Sequence, residues 1–238
     1  MREDGRQPDE LRPLKFTPGF IPCAAGSCLV EAGRTRVICT ASIDTDLPKW
    51  LTGSGRGWLS AEYAMLPAST GKRKARDGRK SAQVDGRSVE IQRLIGRVLR
   101  AGVDFAAMPG LSINIDCDVI EADGGTRTAA INGAWVALEL ALRQALRDGK
   151  LARSPLTNPV AAVSVVASGA LLLLDPCAKE DQAADADLNV ALASTGHVVD
   201  VQGTAERGTM PRERFDAALR MAEVGIANIL VQRQAALA

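Results

Sequence analysis

Residues 111–147 read LSINIDCDVIEADGGTRTAAINGAWVALELALRQALR. Over 111–120 apolar and polar residues alternate, the period of a half-buried strand. Two glycines follow, and then a helix is predicted from about Thr126 to Arg147, with Ile131, Trp135, Leu138, Leu142 and Ala145 on its core face. A strand, a glycine loop and a helix together form the unit of folds that lay helices on sheets. The helix mouth is chemically odd. Its first N–H groups lack partners and its dipole is positive there, so acidic residues belong at that end. This helix instead carries Arg127 in its first turn. A cation at that position calls for an anion opposite.

A second helix opens in a similar way. In GRSVEIQRLIGRVLRA (86–101), Arg87 follows Gly86 and lies four residues before Ile91. Ile91, Leu94, Ile95, Val98 and Leu99 fall at helical spacing and mark a buried stripe from about Arg87 to Ala101. Arg127 likewise stands four residues before Ile131. Two glycine-preceded helix mouths facing one point would build a phosphate site from backbone N–H groups, the Thr126 hydroxyl and two guanidinium forks. The competing reading pairs each arginine with a nearby carboxylate such as Asp85 or Asp123.

The rest of the chain extends the pattern. Residues 1–25 read as loop. SCLVEAG and RTRVICTASI form two strands turning at Gly33–Arg34, and GWLSAEYAML is a third. VAAVSVVASGALLLLD gives two more strands turning at Ser168–Gly169, and LNVALAST with HVVDVQG gives a hairpin around Gly196. A final helix spans about 212–236, with Phe215, Leu219, Ala222, Ile226 and Leu230 on one face. The expected fold is α+β: mixed β-sheets with packed helices, in two weakly repeated βα halves within a single domain over residues 1–238.

Composition bounds the function. The net charge of +1 gives no global argument for a nucleic-acid partner, and aromatic residues at 3% leave little material for base stacking. The charged N-terminus does not resemble a signal peptide, and no apolar run is long enough to span a bilayer. The five cysteines show no CxxC pair, which suits a reducing cytoplasm and argues against zinc, as does His197 being the only histidine.

Two local charge clusters stand out. Lys72, Arg73, Lys74, Arg76, Arg79 and Lys80 crowd a long loop opposed by Asp77. The loop is either a polyanion contact or a solvated charged segment. KEDQAADADLN carries Glu180, Asp181, Asp185 and Asp187, oxygen donors of the kind Mg²⁺ or Mn²⁺ prefers. Asp181 and Asp187 are six apart and converge only if the chain bends between them. The plainer reading is a solvated acidic turn with capping aspartates. Trp50 and Trp58 flank a glycine-rich loop, as core, interface or stacking residues.

The chain resembles the ribonuclease PH family of bacterial phosphate-dependent 3′ exoribonucleases. The resemblance rests on REDGRQPDELRP, GSCLVEAGRTRVICTAS, GRGWLSAEYAMLP, GRSVEIQRLIGRVLRA, IDCDVIEADGGTRTAAINGA, EDQAADADLNVALASTG and VQGTAERG, blocks spanning nearly the whole chain. It implies phosphorolytic trimming of tRNA precursors, with inorganic phosphate as co-substrate and nucleoside diphosphates as products. It also implies phosphate binding by Arg87, Gly125, Thr126 and Arg127, with Asp181 and Asp187 as catalytic, metal-holding carboxylates. Arg73 and Arg76 fall in the family's RNA-holding loop, and the assembly implied is a homohexamer built as a trimer of dimers. Pro176, Cys177 and Ala178 depart from the family's usual residues before the first aspartate, and Ala191–Ser194 is smaller than usual. A silent ring subunit would have lost the arginines or aspartates. A hydrolytic nuclease would need a water-activating carboxylate cluster in place of phosphate-binding arginines.

Overall fold

The computed structural model describes residues 2–76 and 85–238. The first half holds β1 (Leu14–Pro18), β2 (Gly26–Ala32), β3 (Thr35–Asp44), β4 (Trp58–Met65), α1 (Gly86–Arg100), β5 (Ser112–Glu121) and α2 (Thr126–Arg147). The second holds β6 (Val160–Ser168), β7 (Leu171–Leu174), the short α3 (Ala178–Ala183), β8 (Ala186–Ala193), β9 (Val198–Ala205) and α4 (Arg212–Leu237). The first sheet runs β1-β2-β3-β5-β4, with β4 parallel to β5 and the other pairs antiparallel. The second runs β7-β6-β8-β9 and is antiparallel throughout. The fold is α+β.

Helix α2 packs against β2 and β3 of the first sheet and β6 of the second. With a sheet on either side it is buried around most of its circumference, well beyond the five-residue stripe the sequence marks. Small residues permit the close approach. A Cβ at Gly133 would come within 2.7 Å of Val30 and 2.8 Å of the Cys39 sulfur. A Cβ at Gly26 would collide with the Ala137 carbonyl. Cys28, Cys39 and Cys117 stand in register across β2, β3 and β5 as buried thiols, and burial pushes the Cys28 thiol up to about 12. On the other side, Asn132 tethers α2 to β6. Its Nδ2 donates to the Ala162 carbonyl and its Oδ1 accepts the Ala162 N–H, both at 2.9 Å. One apolar cluster runs through both sheets and α1, α2 and α4.

One expectation needs correction and one needs widening. The segment 1–25 is not all loop, because Leu14–Pro18 adds an antiparallel edge strand to β2. Its short LKFTP sequence ends in proline, which is tolerated at a strand end and masks the strand signal. Helix α4 keeps the expected face and widens it: Ala222 and Ile226 are buried, Phe215, Leu219 and Leu230 pack partly buried against the same core, and Ala218, Gly225, Ile229, Arg233 and Leu237 are buried beside them. Close packing favours the added residues: a Cβ at Gly225 would touch Leu174 at 2.9 Å. The same stripe seats Arg233 over the Trp135 ring at 5.2 Å, with its guanidinium donating to the Val160 carbonyl.

Gly26→Ala should force α2 away from β2. Overpacking of this kind costs about 1–3 kcal/mol or more. The expected outcome is a lower urea midpoint with an unchanged slope; a midpoint within error of the parent would contradict the close approach.

Candidate functional site

The strand–loop–helix unit read first supplies one wall of a cavity of about 420 Å³. Gly124 and Gly125 both take left-handed backbone angles, with φ of 80° and 62°. Glycine is required there for more than angle: a Cβ at Gly124 would lie 2.6 Å from the Pro176 carbonyl, and one at Gly125 would lie 2.8 Å from Arg12. No side chain caps the α2 N-terminus, so its first N–H groups remain available to an anion. Thr126 faces the cavity, and its Oγ1 accepts a hydrogen bond from the Tyr63 hydroxyl at 2.9 Å. With its acceptor side occupied, the Thr126 hydroxyl is left to donate.

Arg127 lines the cavity and is held by Glu90 of α1 and by Gln202 of β9, each at 3.3 Å. The carboxylate opposite Arg127 is therefore Glu90, with Asp123 engaged elsewhere, accepting the Ala178 N–H. Arg87 also lines the cavity, and its guanidinium makes no hydrogen bond or ion pair among the described residues. The two helix mouths are unequal. Asp85 caps α1, accepting the Arg87 N–H and pairing with Lys74 at 2.9 Å. So α1 contributes a guanidinium, whereas α2 contributes a guanidinium together with an open N-terminus.

The opposing carboxylates come from the second half. Asp181 lies in α3 and Asp187 at the start of β8, and both line the cavity. The bend required by their spacing is present: α3 ends at Ala183 and the chain is extended at Ala184. Asp181 reaches solvent on one side, yet surrounding protein displaces enough water to raise its carboxyl above the usual range. Asp187 and Glu206 reinforce that shift, while Arg87 and Arg127 oppose it. Asn189 donates to Asp187 at 3.0 Å, and its Oδ1 accepts from Ser164 at 2.8 Å, so one carboxylate oxygen of Asp187 is fixed and the other is left open. Among the described residues no cluster of three or more His, Cys, Asp or Glu is arranged to hold a metal. The oxygen donors of this pair of carboxylates nevertheless suit a hard divalent cation.

The site is assembled from both halves by contacts the sequence did not flag, through Arg12, Asp175 and Arg2. Arg12 donates to both oxygens of Asp175 at 2.6 and 3.0 Å and to the Asp123 carbonyl at 2.6 Å, tying the glycine loop to the segment before α3. Arg2 donates to both Glu180 oxygens at 2.7 Å, and the Cys177 N–H donates to Glu180 at 2.9 Å. Cys177, one of the departures from the family pattern, thus sits at the α3 N-cap.

Arg73 and Arg76 are exposed and lie outside the cavity lining. The Arg76 charge reaches Asp118, countering the upward shift that partial burial imposes on that carboxyl. Asp77, Arg79 and Lys80 lie outside the described residues. His197 is exposed at the β8–β9 turn. Trp58 stacks between Phe105 and Arg100, and Trp50 meets its edge at 4.8 Å while remaining 66% exposed.

A family profile for domain 1 of the 3′ exoribonuclease family matches residues 10–144, and one for domain 2 matches residues 158–225. The chain belongs to this family. Curated relatives named ribonuclease PH include one from Synechococcus elongatus, 47% identical over 96% of this chain and 95% of its own. Another, from Bacillus velezensis, is 48% identical over 98% and 95%. Among solved structures, an Archaeoglobus fulgidus exosome with RNA bound to the active site superposes with a TM-score of 0.84 at 22% identity, covering 97% of this chain and 92% of that one. An archaeal exosome core gives 0.79 at 22% identity, over 98% and 91%. Among the described residues no helix is long and apolar enough to cross a membrane.

The Glu180 anchor carries a pH signature. Burial opposes its charge, but Arg2, the Cys177 N–H and Arg6 together hold its carboxyl below its ordinary 4.5. Stability from this carboxylate is present above the unfolded value and is lost as pH falls through the lower folded value. Glu180→Gln should flatten the fall of Tm below about pH 4.5. An unchanged acid limb would remove Glu180 from the anchor.

Proposed function

We propose that this protein is a phosphorolytic 3′-to-5′ exoribonuclease that trims the 3′ ends of tRNA precursors and other structured RNAs in the cytoplasm, acting as a homohexamer arranged as a trimer of dimers. The observation that carries the chemistry is the convergence of two guanidinium groups, an open helix N-terminus and two carboxylates on one cavity. The RNA-bound exosome relative supports RNA as the polymer, and the ribonuclease PH relatives support phosphate as the co-substrate.

Inorganic phosphate binds at the α2 mouth. Arg87 and Arg127 neutralise it, the Thr126 hydroxyl donates to it, and the Gly125 backbone allows it to approach. A phosphate oxygen attacks the phosphorus of the last phosphodiester. The bond to the 3′ oxygen of the penultimate nucleotide breaks, and the proton of the attacking phosphate ends on that oxygen. The product is a nucleoside 5′-diphosphate. Phosphate is already ionised at neutral pH, so no side chain need act as base, which suits a chain whose single histidine lies at a distant turn. One phosphoester is exchanged for a phosphoanhydride, so abundant diphosphates reverse the reaction.

Asp181 and Asp187, with Asn189 orienting Asp187, would hold Mg²⁺ or Mn²⁺, which would supply neutralising charge to the reacting phosphoryl group and the departing oxygen. The main obstacle is anion against anion, and fixed cations in a shaped cavity overcome it by positioning. Arg73 and Arg76 hold the body of the RNA outside the cavity.

A 3′-extended tRNA digested in Mg²⁺ buffer should release nucleoside diphosphates only when phosphate is present. Monophosphates released without phosphate would mean hydrolysis, and bound but uncut RNA would mean a silent subunit. Arg87→Ala or Arg127→Ala should raise the phosphate KM at least tenfold while RNA binding changes little. Arg73→Ala with Arg76→Ala should weaken RNA binding and flatten its salt dependence, leaving the phosphate KM unchanged.

Tyr63→Phe leaves the cavity lining intact but frees Thr126 Oγ1 from its donor. A hydrogen bond of this kind is worth about 1 kcal/mol, or roughly fivefold in phosphate KM. An unchanged phosphate KM would show that the Thr126 hydroxyl does not donate to phosphate.

A further inference from the structure

Among the guanidinium groups lining the cavity, Arg207 shares one property with Arg87. Its side chain makes no hydrogen bond or ion pair among the described residues. Its backbone is nevertheless fixed, since the Arg207 N–H donates to the Asp185 carbonyl at 3.0 Å. That bond extends the β8–β9 ladder, in which Asp187 opposes Thr204 and Ala186 opposes Ala205. Arg207 is thus carried by the strand pair that carries Asp187, whereas Arg87 and Arg127 belong to helices of the first half.

The charges facing the cavity bear on the role of Arg207. Asp181, Asp187 and Glu206 oppose Arg87, Arg127 and Arg207, and Glu90 already occupies Arg127. The proposed reaction adds a phosphate dianion, the phosphodiester under attack and the next phosphodiester along the RNA. Attack and departure are in line, so incoming phosphate and retained RNA lie on opposite sides of the reacting phosphorus. The helix mouths serve the incoming side and the two aspartates with their ion serve the centre. That leaves the retained strand's first phosphate without a counter-charge, on the side of the cavity built by the second sheet.

We propose that Arg207 binds the RNA phosphate immediately 5′ of the bond being broken, an inference that rests on the phosphorolytic reading above. A guanidinium fork on a fixed backbone suits a phosphodiester, whose two free oxygens it can bond together. Gripping the retained strand also sets the register of the 3′ end, placing the last phosphodiester over Asp181 and Asp187.

The test uses the full chain and short single-stranded oligoribonucleotides with a 5′ fluorophore. Arg207→Ala should weaken RNA binding about tenfold by anisotropy, measured without phosphate, and reduce the salt slope by about 0.7. The phosphate KM should stay within twofold. A neutral methylphosphonate at the penultimate linkage should weaken binding to the parent protein by the same factor and leave Arg207→Ala indifferent. Arg207→Lys should recover part of the affinity. A raised phosphate KM with unchanged RNA binding would instead assign Arg207 to the incoming phosphate and overturn the proposal. Equal sensitivity of parent and Arg207→Ala to the neutral linkage would also overturn it. Failure of the parent protein to release diphosphates would sink the phosphorolytic reading by itself, because the anisotropy comparison contains no phosphate.

Discussion

The geometry of the cavity depends on a single buried ion pair. Arg12 and Asp175 are both nearly inaccessible to water, and each is satisfied several times over. Asp175 accepts from the Arg12 backbone N–H, Nε and Nη2, at 2.9, 3.0 and 2.6 Å. The same guanidinium donates to the Asp123 carbonyl, whose neighbour Gly124 has its carbonyl held by Thr35 at 2.7 Å. Taking two charges out of water is expensive, and a buried pair survives only when its remaining donors and acceptors are matched. Here the matching partners are the loop that opens α2 and the segment that leads to α3. Asp175 even takes a left-handed angle, φ 49°, to present its carboxylate. Breaking the pair would strand a charge between the halves and release the phosphate loop from the carboxylates together.

This explains which parts of the site could be read from the sequence. Residues that line the cavity announce themselves by local chemistry: an arginine at a helix mouth, glycines before it, aspartates at a fixed spacing. Periodicity placed α2 over Thr126–Arg147 and recovered the α1 stripe, because amphipathic spacing survives whatever the helix packs against. The residues that hold those groups in place carry no such mark. Arg12 lies 163 positions from Asp175, and Tyr63 lies 63 positions from Thr126. Ser164 and Asn189 become neighbours only through the β6–β8 register. The full width of the α4 face was hidden for the same reason: Gly225 and Ala218 determine how close the helix can lie, and hydrophobicity scales give small residues little weight.

The two helix mouths are a case where local symmetry in sequence does not survive folding. Both arginines follow a glycine and precede a buried stripe, yet Asp85 neutralises one N-terminus and nothing caps the other. The difference separates labour between them. Arg87 enters the cavity as a side chain alone, with its helix N-terminus already capped. Arg127 is pre-aimed by Glu90 and Gln202, which limits the entropy lost when an anion arrives.

That pre-aiming has a consequence for the energetics of the whole cavity. Glu90 compensates Arg127 directly, while Asp181, Asp187 and Glu206 face the cavity's guanidinium groups from the second half. On the proposed function, an entering phosphate dianion would compete with the Arg127–Glu90 contact at 3.3 Å as a stronger, doubly charged partner. Glu90 is largely exposed, so its charge returns to solvent at little cost. Asp181 is shifted in the opposite sense: burial, Asp187 and Glu206 all disfavour its charge, and Arg87 and Arg127 support it only in part. The cavity therefore holds cations that are lightly compensated on one side and carboxylates that repel one another on the other. On the proposed function, each half would lower its own electrostatic strain by binding what the reaction requires: anions at the helix mouths and a divalent cation between the aspartates.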